Sequence, residues 1–261
     1  TYMMVNYLGN GSGKMLLKLG DISEFHLFSL ASIIFSLALI PVLLTRQSAP
    51  ILERGPRMSI LSVLRLGPLA VVGIFTAGTI NSSINALAPI YAMNMYGNAS
   101  QAANFTAIML ISGFVLQWPL GRLSDYVGRG ILIAGVAVAI AICSLGMVFS
   151  AHYLPQWILV MAFIYGAFLY TLYSLCSALI NDVIGAKLRV SVTGTILIIY
   201  GIGAITGPML VGMLTDIVGS QALFLFSFTA SSSLAAFAIY RRIHQAIFVK
   251  PVQPFVPVPS Q

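Results

Sequence analysis

The stretch Gly121-Arg-Leu-Ser-Asp-Tyr-Val-Gly-Arg-Gly130 decides how this chain folds. "FTAIMLISGFVLQWPL" (105–120) precedes it and "ILIAGVAVAIAICSLGMVF" (131–149) follows it. Arg122, Asp125 and Arg129 are thus gathered on a ten-residue island between two long apolar runs. The rest of the composition says what surrounds the island. Hydrophobic residues make up 59% of the 261 residues and charged residues 7%. A soluble domain carries about 25% charged residues, so this chain cannot cover itself with a water-facing surface. Its second solvent is lipid.

Lipid restricts the architecture. Backbone N–H and C=O groups must be satisfied internally there, which leaves helices or closed barrels. Barrel strands alternate apolar and polar residues, and these runs do not alternate. They are continuous and suit helices crossing a hydrocarbon layer about 30 Å thick. The fold class is therefore all-α, a polytopic membrane bundle. Two spans are expected at about 1–19 and 25–45, and six more at about 67–92, 103–120, 131–150, 156–181, 191–214 and 221–240. Residues 46–66 form a charged connector. Met58, Leu61 and Leu64 stand there at helical spacing, which fits either a short surface helix or an ordinary loop. The proline-rich tail, 241–261, is expected to be extended or disordered. At mid-membrane each charge of the island would cost about 2.5–3.5 kcal/mol on the insertion scale. The island marks where the chain meets water, with its glycines making a tight turn.

The basic residues give the orientation. Of thirteen, eleven fall in alternate connections and the tail: Arg46, Arg54, Arg57, Arg65, Arg122, Arg129, Lys187, Arg189, Arg241, Arg242 and Lys250. The positive-inside rule makes that side cytoplasmic, including the C-terminus, in a plasma or inner membrane. The charge of +7 is then a topology signal, and no nucleic-acid partner is implied. Lys14 and Lys18 are the exceptions. Lys14 either snorkels to the outer interface or faces a polar cavity.

The island has an echo. "GMLTDIVG" at 212–219 repeats "GRLSDYVG" at 121–128, sharing Gly-x-Leu-Ser/Thr-Asp-x-Val-Gly at an offset of 91 residues. That offset is three spans, an odd number, so the second copy lies on the opposite side of the membrane. Inverted repeats of this kind are common among transporter folds.

On these residues the chain resembles the major facilitator superfamily (MFS). "GRLSDYVGRG" is similar to that family's signature loop, Gly-x-Leu-x-Asp-x-x-Gly-Arg-Lys/Arg, although Tyr126 and Gly130 stand where the family often has basic residues. The resemblance implies that 67–240 is the C-terminal six-helix half with inverted three-helix repeats. It implies that 1–45 is a two-helix remnant of the N-terminal half and 46–66 the central cytoplasmic loop. The chain then reads as a fragment covering family helices 5–12, its partners the missing N-terminal helices and the lipid bilayer. The implied function is alternating-access transport of a small-molecule solute, driven by the solute's own gradient or by a coupling proton or cation (symport or antiport). The alternative is a non-transporting polytopic protein, such as a receptor or assembly subunit.

The resemblance also implies a cytoplasmic latch built from Gly121, Arg122, Asp125, Gly128, Arg129 and Asp182. Asp125 would accept hydrogen bonds from a neighbouring helix start, and Arg129 or Arg122 would pair with Asp182. Cavity candidates come from polar residues stranded in apolar spans. Asn81 and Asn85 are four apart on one helical face, and an unpaired amide in lipid is costly, so they meet either a partner helix or a wet cavity. Tyr165, Tyr170 and Tyr173 either stack on a solute or fill core. Gln117 belongs to gate or cavity, and Tyr200 and Lys14 complete the set. Gly203 and Gly207 form GxxxG, which permits close helix approach, and Pro208 after them favours a bend.

Other signals carry no chemistry. "GNGSGK" at 9–14 mimics a phosphate loop, but Leu8 stands where its first glycine belongs and Met15 where its hydroxyl belongs. His26, His152 and His244 are scattered, giving no expected metal site. No cofactor motif and no catalytic motif is present, so no enzyme is expected.

Overall fold

The computed structural model describes residues 2–15, 25–44, 59–184 and 188–248. Among them every regular element is helical: α1 (Tyr2–Met15), α2 (His26–Leu44), α3 (Ile60–Leu66), α4 (Pro68–Tyr96), α5 (Ala99–Val127), α6 (Arg129–Tyr153), α7 (Ile158–Val183), α8 (Arg189–Val218) and α9 (Ala222–Phe248). A single 3₁₀ turn, Pro155–Trp157, leads into α7. Among the described residues, six helices are long and apolar enough to cross a membrane, and they begin at Pro68, Ala99, Arg129, Pro155, Val190 and Ala222. The all-α polytopic bundle expected from composition is what the chain forms.

The helices start and stop for local reasons. Pro68 opens α4, where its missing N–H costs nothing. Gly97 ends α4 with φ +63°, and its N–H reaches Met93 O. Asn98 then caps α5 by accepting from Ser100 N at 2.8 Å. Ser59 caps α3 in the same way, accepting from Ser62 N.

Several helices outrun their apolar cores. α5 was expected over 103–120 and runs from Ala99 to Val127. α9 was expected to stop at 240 and continues to Phe248, so the start of the tail is helical. The apolar run measures only the hydrocarbon layer, whereas helical hydrogen bonding continues into polar surroundings. The connector forms a helix at its end, but the fully buried residue is Val63. Leu61 is exposed and Leu64 partly buried, so the face read from Met58, Leu61 and Leu64 is not the packed one. Met58 itself lies outside the described residues, as do Lys18, residues 46–57 and 249–261.

Three helix pairs dominate the packing: α4 with α8, α5 with α7, and α6 with α9. Exchanging α4, α5 and α6 for α7, α8 and α9 converts the first pair into the second and leaves the third unchanged. The lesser contacts α6·α7 and α4·α9, and α5·α6 and α8·α9, exchange in the same way. Glycine closes the first two pairs. A Cβ on Gly78 would collide with Tyr200 O, and one on Gly207 with Thr79 O; one on Gly203 would lie 2.5 Å from Phe75 O. Across α5 and α7, a Cβ on Gly113 would lie 2.6 Å from Tyr170 Cβ, and one on Gly166 would meet Met109 O. The backbones themselves are in contact, as small residues allow in lipid. α8 continues through Pro208 as one helix.

A buried polar cluster ties the remaining helices. Tyr165 Oη lies 2.6 Å from Ser227 Oγ, to which Ser144 Oγ donates at 3.1 Å. This joins α7, α9 and α6 at a point closed to solvent.

Candidate functional site

The repeated motif organises both ends of the bundle. At the first copy α5 does not stop at Gly121. It runs through Arg122, Ser124 and Asp125 to Val127, and Gly128 alone breaks it, with φ +92°. Gly128 N–H bonds Ser124 O at 3.2 Å, and α6 begins at the next residue. The tight turn expected within the ten-residue island is therefore one residue long. Gly121 is helical and faces open space. At the second copy Gly219 has φ +79° and its N–H bonds Thr215 O at 2.9 Å.

The first copy carries an ion cluster. Arg129 Nε lies 2.6 Å from Asp182 Oδ2, and its Nη2 lies 3.3 Å from Asp125 Oδ1. One guanidinium thereby joins the end of α5, the start of α6 and the end of α7. Each charge opposes the dipole of its own helix: two carboxylates sit in C-terminal turns and the cation at an N-terminus, the reverse of the stable arrangement. Mutual pairing offsets this. The carboxylates are more than half exposed, at 65% and 53%, so each pair is worth only about 0–1 kcal/mol. Asp125 receives the guanidinium rather than the helix-start N–H groups expected from the sequence. Arg122 stays out of the cluster, with its guanidinium 5.1 Å from the Trp118 ring centroid.

A cavity of about 560 Å³ lies at mid-bundle, a size that suits a small organic molecule. Asn6, Asn10 and Lys14 of α1 form one wall. Asn81 and Asn85 of α4, Tyr170 and Tyr173 of α7, and Tyr200 of α8 form the others, together with Leu110 and Leu197. Tyr173 and Tyr200 meet edge to face, their centroids 5.2 Å apart. Asn10 Nδ2 donates to Asn6 Oδ1 at 3.0 Å. Asn81 Oδ1 is buried with no protein partner among the described residues. The cavity thus combines a cation, amide donors and acceptors, and aromatic faces in an otherwise apolar bundle.

The sequence profile of the Major Facilitator Superfamily matches residues 2–208 and, in a second placement, 70–254. This chain belongs to that superfamily. Among curated relatives it is similar to the "Uncharacterized MFS-type transporter YcaD" of Escherichia fergusonii, 26% identical over 226 residues. It is also similar to the protein of the same name in Escherichia coli strain K12, 28% identical over 227 residues. The aligned region is 86% of this chain and 58% of each relative, so the chain spans somewhat over half the length of the relatives it matches.

The structure of this MFS chain sorts the residues singled out from its sequence. Lys14, Asn81, Asn85, Tyr170, Tyr173 and Tyr200 converge on one cavity. Lys14 stands in that lining on α1. Tyr165 does not reach the cavity, because Ser227 and Ser144 hold its hydroxyl in the core. Nor does Gln117, whose Nε2 donates to Ser174 Oγ at 2.8 Å and pins α5 to α7. Gly203 and Gly207 pack against α4. Asn6 and Asn10 were missed. Their signal was available: with Lys14 they recur every four residues, a polar stripe on one helical face.

Proposed function

We propose that this protein is a secondary transporter that moves a small solute across a membrane by alternating access. The cavity carries the proposal: ten residues from five helices, eight of them polar or tyrosine, meet in the middle of an apolar bundle. A bundle serving only as an anchor gains nothing from stranding amides and an ammonium there, since each must be solvated or paired.

The ion cluster supplies the gate. Arg129 joins three helix ends at the basic end, which the positive-inside rule makes cytoplasmic. The fixed charges oppose their helix dipoles and the pairs are weak, so the cluster is built to come apart at small cost. Closure brings Asp125 and Asp182 to Arg129, and opening releases them so that the cavity meets the cytoplasmic side. The pseudo-symmetric pairing of α4–α6 with α7–α9 gives two related arrangements of one bundle, as rocking about a central site requires. The driving force is an ion gradient or the solute's own. The whole activity belongs to the polypeptide encoded by the full reading frame, acting as an integral multi-pass protein of the plasma or inner membrane.

Accessibility tests this reading. In a background without Cys143 and Cys176, a cysteine at Asn85 should react with a membrane-impermeant maleimide from one face. Arg129→Gln should change that rate several-fold, because it shifts the balance between closed and open forms. A cysteine inert from both faces in both backgrounds would overturn alternating access at this cavity.

A further inference from the structure

We infer that the cavity takes a small organic anion, a carboxylate or phosphate whose body also carries an N–H or O–H donor. This rests on the reading of the cavity as a solute site and adds the chemistry of the solute. Among the described residues Lys14 is the one cation in the lining, and no carboxylate joins it there. The sequence has six acidic residues, of which Asp125, Asp182 and Asp216 lie among the described residues. All three stand in the last turns of α5, α7 and α8, away from the mid-helix lining. Asp125 and Asp182 are also engaged by Arg129. Lys14 also borders a small neighbouring void with Asn85, Thr106 and Tyr170, so its side chain runs between helices rather than out to lipid.

An ammonium in that position must be solvated or paired. A cationic solute would meet like charge, and a neutral one that displaced the water would leave Lys14 with neither. An anion satisfies it, and the amide of Asn85 can add N–H donors to the same group, whereas both N–H groups of Asn10 are already given to Asn6. The opposite need arises at Asn81 Oδ1, a buried acceptor left without a hydrogen bond among the described residues while the Tyr200 hydroxyl lies beside the same amide. A hydroxyl or amine on the solute fills it. Leu110, Leu197 and the tyrosine faces then hold the apolar or planar remainder.

The test uses the purified full-length gene product in detergent and matched probes read by thermal shift. The pairs are lactate with lactamide, 4-hydroxybenzoate with 4-hydroxybenzamide, and glycerol 3-phosphate with glycerol. Choline and benzoate are added as the cation and as an acid without the donor. At least one hydroxylated acid should stabilise the protein while its neutral partner does not, and benzoate should bind more weakly than 4-hydroxybenzoate. Lys14→Gln should weaken that acid at least about tenfold, as loss of a charge-assisted hydrogen bond does, and Lys14→Arg should restore it. An acid whose effect survives Lys14→Gln overturns the inference. If neutral or cationic probes stabilise instead, and Asn85→Leu abolishes their effect, the transporter reading stands and the anion falls. If no probe of any charge shifts the melting point, both fall.

Discussion

The two copies of Gly-x-Leu-Ser/Thr-Asp-x-Val-Gly end their helices by the same device and do different things with it. Gly128 and Gly219 both adopt positive φ and both return their N–H to a hydroxylated residue four positions back, Ser124 or Thr215. The side chains then diverge. At the first copy Arg129 follows the glycine and gathers Asp125 and Asp182. At the second copy Ser220 stands in the matching place. The contact nearby is an amide with an imidazole, Gln221 Nε2 lying 2.9 Å from a ring nitrogen of His152. The shared glycine and hydroxylated residue therefore serve the backbone at both ends, while the shared aspartate is met by an arginine at the first copy, where Arg129 follows the glycine. A motif usually read as one unit separates into a helix-ending portion and a gating portion.

Substitutions can break this comparison. Arg129→Gln should have the largest effect on flux, lowering it about tenfold, the factor that about 1.4 kcal/mol of gate closure lost from both pairs together produces. Ser220→Ala should leave flux unchanged. Equal losses in a transport assay would mean that the two ends gate alike. Next come the glycines. Gly128→Ala and Gly219→Ala each force a side chain into a backbone region that suits glycine, costing about 1–3 kcal/mol. Thermal unfolding should show similar losses for both, and a loss at Gly128 alone would tie the turn to the ion cluster. The smallest effect belongs to Gly121 and Gly212. Both are helical, and an added Cβ would meet nothing, so alanine should stabilise each by up to about 1 kcal/mol. Destabilisation at either would reveal a close neighbour in the working protein.

Much of this was legible in the sequence, because lipid leaves few choices. Continuous apolar runs gave the spans of α4 to α9, and an offset of three spans exposed the repeat. Asn81 and Asn85 were legible because amides in hydrocarbon demand a reason. Other features depend on packing and leave no local trace. Tyr165 and Tyr170 look alike in sequence, and only the neighbouring Ser227 sends one to the core while the other lines the cavity. Gln117 is decided by Ser174, 57 positions away. Val63 is buried for a similar reason, since nothing in α3 itself distinguishes it from Leu61. Asn6 and Asn10 were hidden differently. Their small neighbours resemble a phosphate loop, and dismissing that motif also dismissed the polar stripe that ends at Lys14.

The glycine contacts between α4 and α8 and between α5 and α7 bear on how the protein could move. Backbones pressed together without intervening side chains cannot slide past each other without losing that fit. Each pair is thus a doubled rod, and the Tyr165, Ser227 and Ser144 hydroxyls fasten the second rod to α6 and α9. The tyrosines of the cavity, Tyr170 and Tyr200, are mounted on the two rods, beside the glycines that weld each of them together. A motion that admits a solute can therefore leave these two welds shut and take up its displacement elsewhere in the bundle.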